Sequence, residues 1–287
     1  MRGSGAASGR DGETAGPQEK DGHGHRGAGA ASVKPGRLSV VGLGPGDAGL
    51  LAPMAAEALE RAAVVVGYGT YLDLIDPELL ARKAVVSTGM MGEVQRCGKA
   101  IDRALAGEDT VVVSSGDAGV YGMAGLVLEL LEARGLLDAV EFQVVPGIPA
   151  VIGAAAILGA PLTHDFACVS LSDLLTPWEL IEKRLDAAAG ADFVIALYNP
   201  RSKRRSGQLA RALEIIGRHA SPQTPAGLVR NAWREGQSAL LTTLGQLDPE
   251  AADMLSIVVV GNSQTRMAGG RMLTPRGYAG KYALGGR

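Results

Sequence analysis

The segment with the clearest chemical potential is Gly42-Leu-Gly-Pro-Gly-Asp47, a glycine-rich turn that follows an apolar run at 38–41. A buried strand that ends in a tight glycine-rich loop at the edge of a sheet is typical of a ligand-binding site. The glycine spacing begins like a dinucleotide-binding motif, but Asp47 occupies the position of that motif's third glycine. A carboxylate there would repel a pyrophosphate. The turn therefore predicts a small-molecule ligand other than a dinucleotide.

Three further predicted strands also end in small or turn-forming residues, so the feature is repeated along the chain. The four segments are Gly42-Leu-Gly-Pro-Gly-Asp47, Ser114-Ser-Gly-Asp-Ala-Gly119, Pro146-Gly-Ile-Pro-Ala150 and Tyr198-Asn-Pro200. Where side-chain bulk is missing, backbone N–H and C=O groups are free to contact a closely approaching ligand. A neutral adenosine with a zwitterionic amino-acid tail suits a site of this kind.

The elements that must position these turns are short Val-rich runs that alternate with segments of helical period, a pattern typical of α/β proteins. We predict a first set of strands at 38–43, 63–66, 84–86, 110–114 and 142–145, and a second set at 167–171, 193–198, 226–229 and 256–260. The predicted fold class is α/β, with two α/β domains in tandem. Each domain is expected to be a mainly parallel sheet flanked by helices, with the active site in the cleft between the domains.

The predicted domain boundary lies at the turn-rich segment Gly159-Ala-Pro-Leu-Thr-His-Asp165. It separates an N-terminal α/β domain at 37–158 from a C-terminal α/β domain at 159–287. Residues 1–36 are rich in Gly, Ala, Ser and charged residues, and we expect them to be a disordered extension. His23 and His25 lie in this extension without further ligands, so the sequence predicts no metal site.

Composition excludes several classes of function. The 287 residues carry a net charge of −2, so no overall basic field favours a nucleic-acid partner. Only Cys97 and Cys168 are present, which argues against a disulfide framework and favours a reducing, cytoplasmic location. No apolar segment has the roughly 18 residues needed to span a bilayer, and no apolar signal-peptide region is apparent, so we expect no membrane partner.

The strand-end motifs resemble those of the tetrapyrrole methylases, which transfer methyl groups from S-adenosyl-L-methionine to carbons of uroporphyrinogen-derived rings. The resemblance rests on Gly42-Leu-Gly-Pro-Gly-Asp47, Gly116-Asp-Ala-Gly-Val-Tyr-Gly122 and Val145-Pro-Gly-Ile-Pro-Ala150. Ala118 stands where that family usually has proline. This departure resembles one branch of the family, which methylates carbon 17 of precorrin-3B in cobalamin synthesis. The same branch is resembled by three further segments, Gly67-Tyr-Gly-Thr-Tyr-Leu72, Leu197-Tyr-Asn-Pro-Arg-Ser202 and Thr274-Pro-Arg-Gly-Tyr278. The resemblance covers residues 38 to about 278.

The resemblance implies a two-domain methyltransferase, usually a homodimer, with S-adenosylmethionine in the cleft and the macrocycle laid over it. The cofactor contacts that it implies are Pro45, Ser115, Gly116, Asp117, Val120, Tyr121, Pro149, Ala150, Tyr198, Asn199 and Ala226. Pro149 stands where the family commonly has Ser or Thr, so only backbone contacts to the cofactor are expected there.

Chemistry on the macrocycle implies three candidate catalytic residues. In the resembling branch, methylation at carbon 17 accompanies contraction of the ring, which requires a proton to leave a hydroxyl group on the bridge carbon. Asp47, on a turn at a strand end, is the first candidate for the general base, and Tyr121 is a candidate donor. His164, next to Asp165, is the third candidate, although a lone histidine of this kind more often has a structural role.

A tetrapyrrole with many acetate and propionate groups requires local cationic donors on a protein without net positive charge. The densest basic cluster is Arg201-Ser-Lys-Arg-Arg205, in which Arg201 and Lys203 are the predicted substrate-binding residues. Arg96 is a further candidate, although its position opposite the apolar stripe of a predicted helix favours an exposed side chain.

Two other classes of function compete with a methyltransferase. A nicotinamide oxidoreductase is disfavoured by Asp47 and by the second strand, Val64-Val-Val-Gly-Tyr68, which ends without the acidic residue that holds a ribose. A binding module without a cofactor would leave the glycine-rich turns unexplained. Within the resembling family, methylation at carbon 11 of the next intermediate, precorrin-4, is the alternative, because the cofactor motifs are shared.

Overall fold

The computed structural model describes residues 34–89, 91–202 and 205–284, and a five-stranded sheet organises the first half of the chain. Its strands are β1 (Arg37–Gly42), β2 (Val64–Tyr68), β3 (Ala84–Thr88), β4 (Thr110–Ser114) and β5 (Glu141–Val145). Every pairing in the order β3-β2-β4-β1-β5 is parallel. Gly42 is in register with Ser114, and Val41 with Val145, so the turns that follow β1, β4 and β5 meet at one edge of the sheet.

Helices cover both faces of this first sheet. They are α1 (Pro53–Arg61), α2 (Gly69–Leu72), α3 (Pro77–Leu80), α4 (Glu93–Leu105) and α5 (Ala124–Ala133). Alternate strand residues point to opposite faces, so Val40 packs with α4 and α5 in one core while Val41 packs with α1 in another. Burial on both faces explains why the central strands β2 and β4 are nearly continuous apolar runs, whereas the edge strands β3 and β5 are partly exposed.

A second five-stranded sheet organises the other half. Its strands are β7 (Phe166–Ser170), β8 (Val194–Tyr198), β9 (Pro225–Arg230), β10 (Ser238–Thr243) and β11 (Ser256–Val260), in the order β10-β9-β11-β8-β7. Only β7 and β8 pair in parallel, while β11 runs antiparallel to both of its neighbours and β10 runs antiparallel to β9.

The α/β fold class with two sheets is confirmed, but the prediction of a mainly parallel second sheet is wrong. Helices α7 (Trp178–Gly190) and α8 (Gln208–Ile216) do connect β7 to β8 and β8 to β9 as crossovers. Strand β10 then returns directly from β9, and β11 inserts between β8 and β9 in the opposite direction. A short reversal needs no crossover helix, and it produces antiparallel neighbours.

Helix α6 (Ala150–Leu158) connects the two halves. It begins just after the β5 turn, yet its apolar residues pack against β8, β9 and β11 of the second sheet. The sequence-based boundary assigns this helix to the N-terminal domain, and the domain limits at 158 and 159 stay predictions. Strand β6 (Gly159–Ala160) directly follows α6, and it forms a small sheet with β12 (Arg266–Ala268) and β13 (Arg271–Leu273).

Short 3-10 helices lie at Ala48–Leu50, Leu244–Gln246, Pro249–Ala251 and Tyr278–Gly280. None of the helices in the described ranges has the length and apolar character required to cross a membrane. The predicted disordered extension, with His23 and His25, falls almost entirely outside the described residues.

Candidate active site

Two of the glycine-rich turns are joined directly by their backbones. The N–H of Gly44 donates to the carbonyl of Gly116 at 2.9 Å, and the N–H of Gly116 donates back to Gly44 at 2.8 Å. Both glycines have positive φ angles, 74° and 70°, which L side chains rarely adopt. The turns after β1 and β4 therefore form one rigid unit.

The turn after β5 packs against the same unit without space for side chains. A Cβ atom at Gly147 would lie 2.2 Å from the carbonyl oxygen of Gly116 and 2.7 Å from the carbonyl carbon of Gly42. A Cβ atom at Gly42 would lie 2.7 Å from the backbone nitrogen of Gly147. These glycines serve close contact between the turns, in addition to any contact with a ligand.

The carboxylate of Asp117 links the second and third turns. Its Oδ1 accepts hydrogen bonds from the N–H groups of Gly119 at 2.8 Å and Val120 at 2.9 Å, and its Oδ2 accepts one from Gly147 at 3.0 Å. The side chain thus holds the turns in position, while its predicted contact with a cofactor stays a prediction.

A cavity of about 410 Å³ lies beside these turns and is lined by residues from both halves of the chain. The lining includes seven predicted cofactor contacts: Pro45, Ser115, Val120, Tyr121, Ala150, Tyr198 and Asn199. Small-molecule sites have volumes of roughly 300–1,000 Å³, so this cavity is large enough for one. The structure thus places residues that are far apart in the sequence around one cavity.

Four predicted cofactor contacts lie outside the lining. Gly116 and Asp117 belong to the adjoining turn, and Pro149 immediately precedes α6 next to Ala150. Ala226 is fully buried in β9. Their predicted roles stay predictions.

Tyrosine side chains form two pairs in the cavity wall. The rings of Tyr121 and Tyr198 are 4.9 Å apart, and those of Tyr68 and Tyr71 are 5.5 Å apart in an edge-to-face arrangement. The Tyr198 hydroxyl accepts a hydrogen bond from Val151 N–H at 3.0 Å, and the Tyr121 hydroxyl donates to the carbonyl of Cys168 at 3.0 Å. Tyr121 thereby connects a turn of the first sheet to β7.

Tyr121 gives a testable expectation for the pH dependence of activity. Burial raises the pKa of its phenol above the usual value of about 10, so the neutral, proton-donating form persists below that pH. We expect kcat–pH profiles of the wild type and Tyr121→Phe to be parallel between pH 6 and about 10. A deprotonation step in that range that is present in the wild type and absent from the variant would contradict the expectation.

The other two predicted catalytic residues lie outside the cavity lining. Asp47 is exposed, and its Oδ1 accepts the N–H of Gly49 at 2.7 Å at the start of a 3-10 helix. His164 is also exposed, and its Nδ1 accepts the N–H of Asp165 at 2.8 Å. Their catalytic roles stay predictions.

The predicted substrate-binding residues are dispersed. Arg201 forms an ion pair with Glu250 and lines a separate cavity, while Lys203 falls outside the described residues. The expectation that Arg96 has an exposed side chain is wrong, because only 3% of the residue is exposed. Its guanidinium is held by the Thr88 hydroxyl at 2.7 Å and lies 3.7 Å from a Glu93 carboxylate oxygen.

One cationic residue of the cavity was missed by the sequence analysis. Arg234, in the connection between β9 and β10, donates from Nε to the carbonyl of Pro45 at 2.5 Å and from Nη2 to the Ser115 hydroxyl at 2.6 Å. Burial lowers the pKa of this guanidinium. The turn-rich sequence Asn231-Ala-Trp-Arg-Glu-Gly-Gln237 at a strand end is the signal that could have identified it.

Comparison with known proteins agrees with the motifs. A family model described as "Tetrapyrrole (Corrin/Porphyrin) Methylases" matches residues 37–248. The chain is 53% identical to a "Probable cobalt-factor III C(17)-methyltransferase" of Salmonella typhimurium, over 84% of this chain and 99% of that protein. It is 41% identical to a "Precorrin-3B C(17)-methyltransferase" of a Sinorhizobium species, over 85% of this chain and 98% of that protein.

Similarity to a solved structure extends the agreement to the fold. The crystal structure of the methyltransferase CobJ superposes with a TM-score of 0.80 at 41% identity, covering 84% of this chain and all of that one. The family predicted from the strand-end motifs is confirmed: the chain belongs to the tetrapyrrole (corrin/porphyrin) methylases.

Proposed function

We propose that the protein transfers a methyl group from S-adenosylmethionine to carbon 17 of a precorrin-3B-type macrocycle in cobalamin synthesis. The observation that carries the proposal is the convergence of Pro45, Ser115, Tyr121, Ala150 and Asn199 on one cavity, where the family motifs predict the cofactor. Both curated relatives described above bear C(17) in their names, which favours this position over carbon 11.

The cavity residues fit S-adenosylmethionine chemically. The turns offer backbone N–H and C=O groups for polar contacts, and Asn199 adds an amide with both a donor and an acceptor. The faces of tyrosine rings attract cations such as the sulfonium group of the cofactor. This attraction is weaker than that of a carboxylate. Among the described residues that line the cavity, none is Asp or Glu.

The cofactor supplies an electrophilic methyl group, and the protein has to orient it and exclude water. Methyl transfer to a ring carbon is an in-line displacement, so fixed positions contribute more than a strong base. The hydrogen-bonded turns of Gly44 and Gly116 provide a rigid floor for this alignment. The apolar residues Val229 and Ile257 line the side that belongs to the second sheet.

We propose Asp47 as the general base of the ring-contraction step, with His164 as the second candidate. Only Oδ1 of Asp47 is used in the turn, and Oδ2 has no hydrogen-bond partner among the described residues. Asp47→Asn keeps an acceptor for Gly49 N–H but has little basicity, so kcat is expected to fall by roughly 100-fold or more. The fall in kcat is measured by turnover with S-adenosylmethionine and the trimethylated precursor. An unchanged kcat in the folded variant would contradict the assignment, and His164→Asn provides the matched comparison.

The names of the two relatives differ in the macrocycle, since one refers to cobalt-factor III and the other to precorrin-3B. Incubation with S-adenosylmethionine and the trimethylated precursor, with and without inserted cobalt, tests the function. We expect a mass increase of one methyl group and an absorbance change in one or both arms. Binding of S-adenosylhomocysteine without methylation of either macrocycle would contradict the proposed function.

We also propose that the protein is a cytoplasmic homodimer. The β7–α7 connection supports a self-association surface, because Leu174 and Leu175 are 77% and 98% exposed in the single chain. Sedimentation analysis distinguishes a dimer from a monomer.

A further inference from the structure

We propose that Arg234 is a carboxylate-binding residue of the cavity, an inference that rests on the proposed function. A carboxylate is available from two sources, the acetate and propionate groups of the macrocycle and the amino-acid end of the cofactor. Both present the same chemistry, and a guanidinium recognises it through paired N–H donors. None of the sequence motifs assigns this role to Arg234.

The charge environment of Arg234 favours a bound anion. Arg234 has no salt bridge among the described residues, and none of the described residues that line the cavity is acidic. Its two hydrogen bonds go to neutral oxygens of Pro45 and Ser115, which leaves Nη1 without a described hydrogen-bond partner. A partly buried cation without a counter-ion is costly, and a bound anion would compensate for it.

A strained loop presents Arg234 to the cavity. Asn231 and Trp233 adopt positive φ angles of 48° and 61°, although neither is glycine. Trp233 is held there, because its Nε1 donates to the carbonyl of Gly153 at 3.0 Å and its N–H donates to Gln237 Oε1 at 2.8 Å. Such conformations persist only where the surrounding contacts stabilise them, and they cluster at functional sites.

The turn after β1 leaves space for the Arg234 side chain. A Cβ atom at Gly46 would lie 2.4 Å from Cγ of Arg234, so only glycine at this position lets the arginine stem cross the turn. The glycines of the turn after β1 therefore make room for the Arg234 side chain as well as for the turns after β4 and β5. This packing holds the guanidinium next to Pro45 and Ser115, at the wall of the cavity.

Equilibrium binding tests the proposal independently of turnover. The variants are Arg234→Gln and Arg234→Lys, with Arg266→Gln as a matched control at an exposed arginine of β12. Uroporphyrin III and its neutral carboxamide derivative probe the macrocycle, and S-adenosylhomocysteine and 5′-methylthioadenosine probe the cofactor. Within each pair, only the first compound carries carboxylate groups. In the second pair, the first compound also carries an amine that the other lacks.

We expect Arg234→Gln to weaken one carboxylate-bearing probe by roughly 10- to 100-fold while its partner without a carboxylate keeps its affinity. The probe that weakens identifies the source, and Arg234→Lys should recover part of the loss. Equal weakening within both pairs would assign Arg234 a purely structural role and overturn the proposal, as would unchanged affinity for all four probes. If the wild type and the variants bind the probes as expected but the wild type transfers no methyl group, only the proposed reaction would be contradicted.

Discussion

Gly147→Ala is expected to weaken cofactor binding strongly and to destabilise the fold. The new methyl group would lie 2.2 Å from the carbonyl oxygen of Gly116, and both atoms belong to turns that cannot move independently. Relief of the clash requires separation of the turns after β4 and β5, which removes the hydrogen bond from Gly147 N–H to Asp117. We expect a loss of about 2–4 kcal/mol in the free energy of unfolding and at least a 100-fold loss of S-adenosylhomocysteine affinity.

Urea unfolding and calorimetry measure the two effects, and Gly125→Ala is the matched control. A Cβ atom at Gly125 would have no neighbour within 4 Å, and this position lies in α5, where alanine favours the helix. The control should bind S-adenosylhomocysteine as the wild type does and should be equally or slightly more stable. Wild-type affinity in Gly147→Ala would show that the turns tolerate separation.

Asp117→Ala is expected to have the second largest effect. It removes an acceptor of three backbone N–H groups, those of Gly119, Val120 and Gly147. The hydrogen bond from Gly147 is partly buried, and a partly buried donor without a partner is unfavourable. We expect a loss of about 2–4 kcal/mol in the free energy of unfolding, together with weakened cofactor binding, because Val120 and Tyr121 line the cavity.

Asp117→Asn separates the contributions of the two oxygens. An amide keeps one acceptor for Gly119 and Val120 but directs an NH₂ group at Gly147 N–H, so its stability should lie between those of the wild type and Asp117→Ala. Asp138→Ala, at an exposed position with no described side-chain hydrogen bond, is the control. Equal stabilities for Asp117→Ala and Asp138→Ala would show that the carboxylate does not hold the turns.

The first sheet was predictable because its strands carry their own signal. Val111, Val112 and Val113 are buried on both faces, so a continuous apolar run marks β4. Strand β10 lacks this signal, since Leu240 is 44% exposed at the edge of the second sheet. The antiparallel insertion of β11 was also hidden, because the direction of a strand depends on the path of its connections and not on its own residues.

The site shows the same division between local and long-range information. The turns at Gly42 and Gly116 follow their strands directly, so their chemistry is visible in short motifs. Arg234 reaches Pro45 across 189 positions of the sequence, and no local pattern reports such a contact. Arg96 is misjudged for a similar reason. Its half-buried partner Thr88 belongs to the preceding strand and accepts a hydrogen bond from the guanidinium, which helical periodicity alone places on the exposed face of the helix.

The shared lining of the cavity has a consequence for the lifetime of the protein in a cell. Pro45 and Ser115 lie in turns at the edge of the first sheet, and Val229 and Ile257 lie in strands of the second, so a ligand in the cavity contacts the folded form of both halves at once. A ligand at 100 times its dissociation constant adds about 2.7 kcal/mol to the free energy of unfolding. Proteolytic turnover of the chain should therefore slow when the cofactor is abundant, which couples the amount of enzyme to the supply of its own methyl donor.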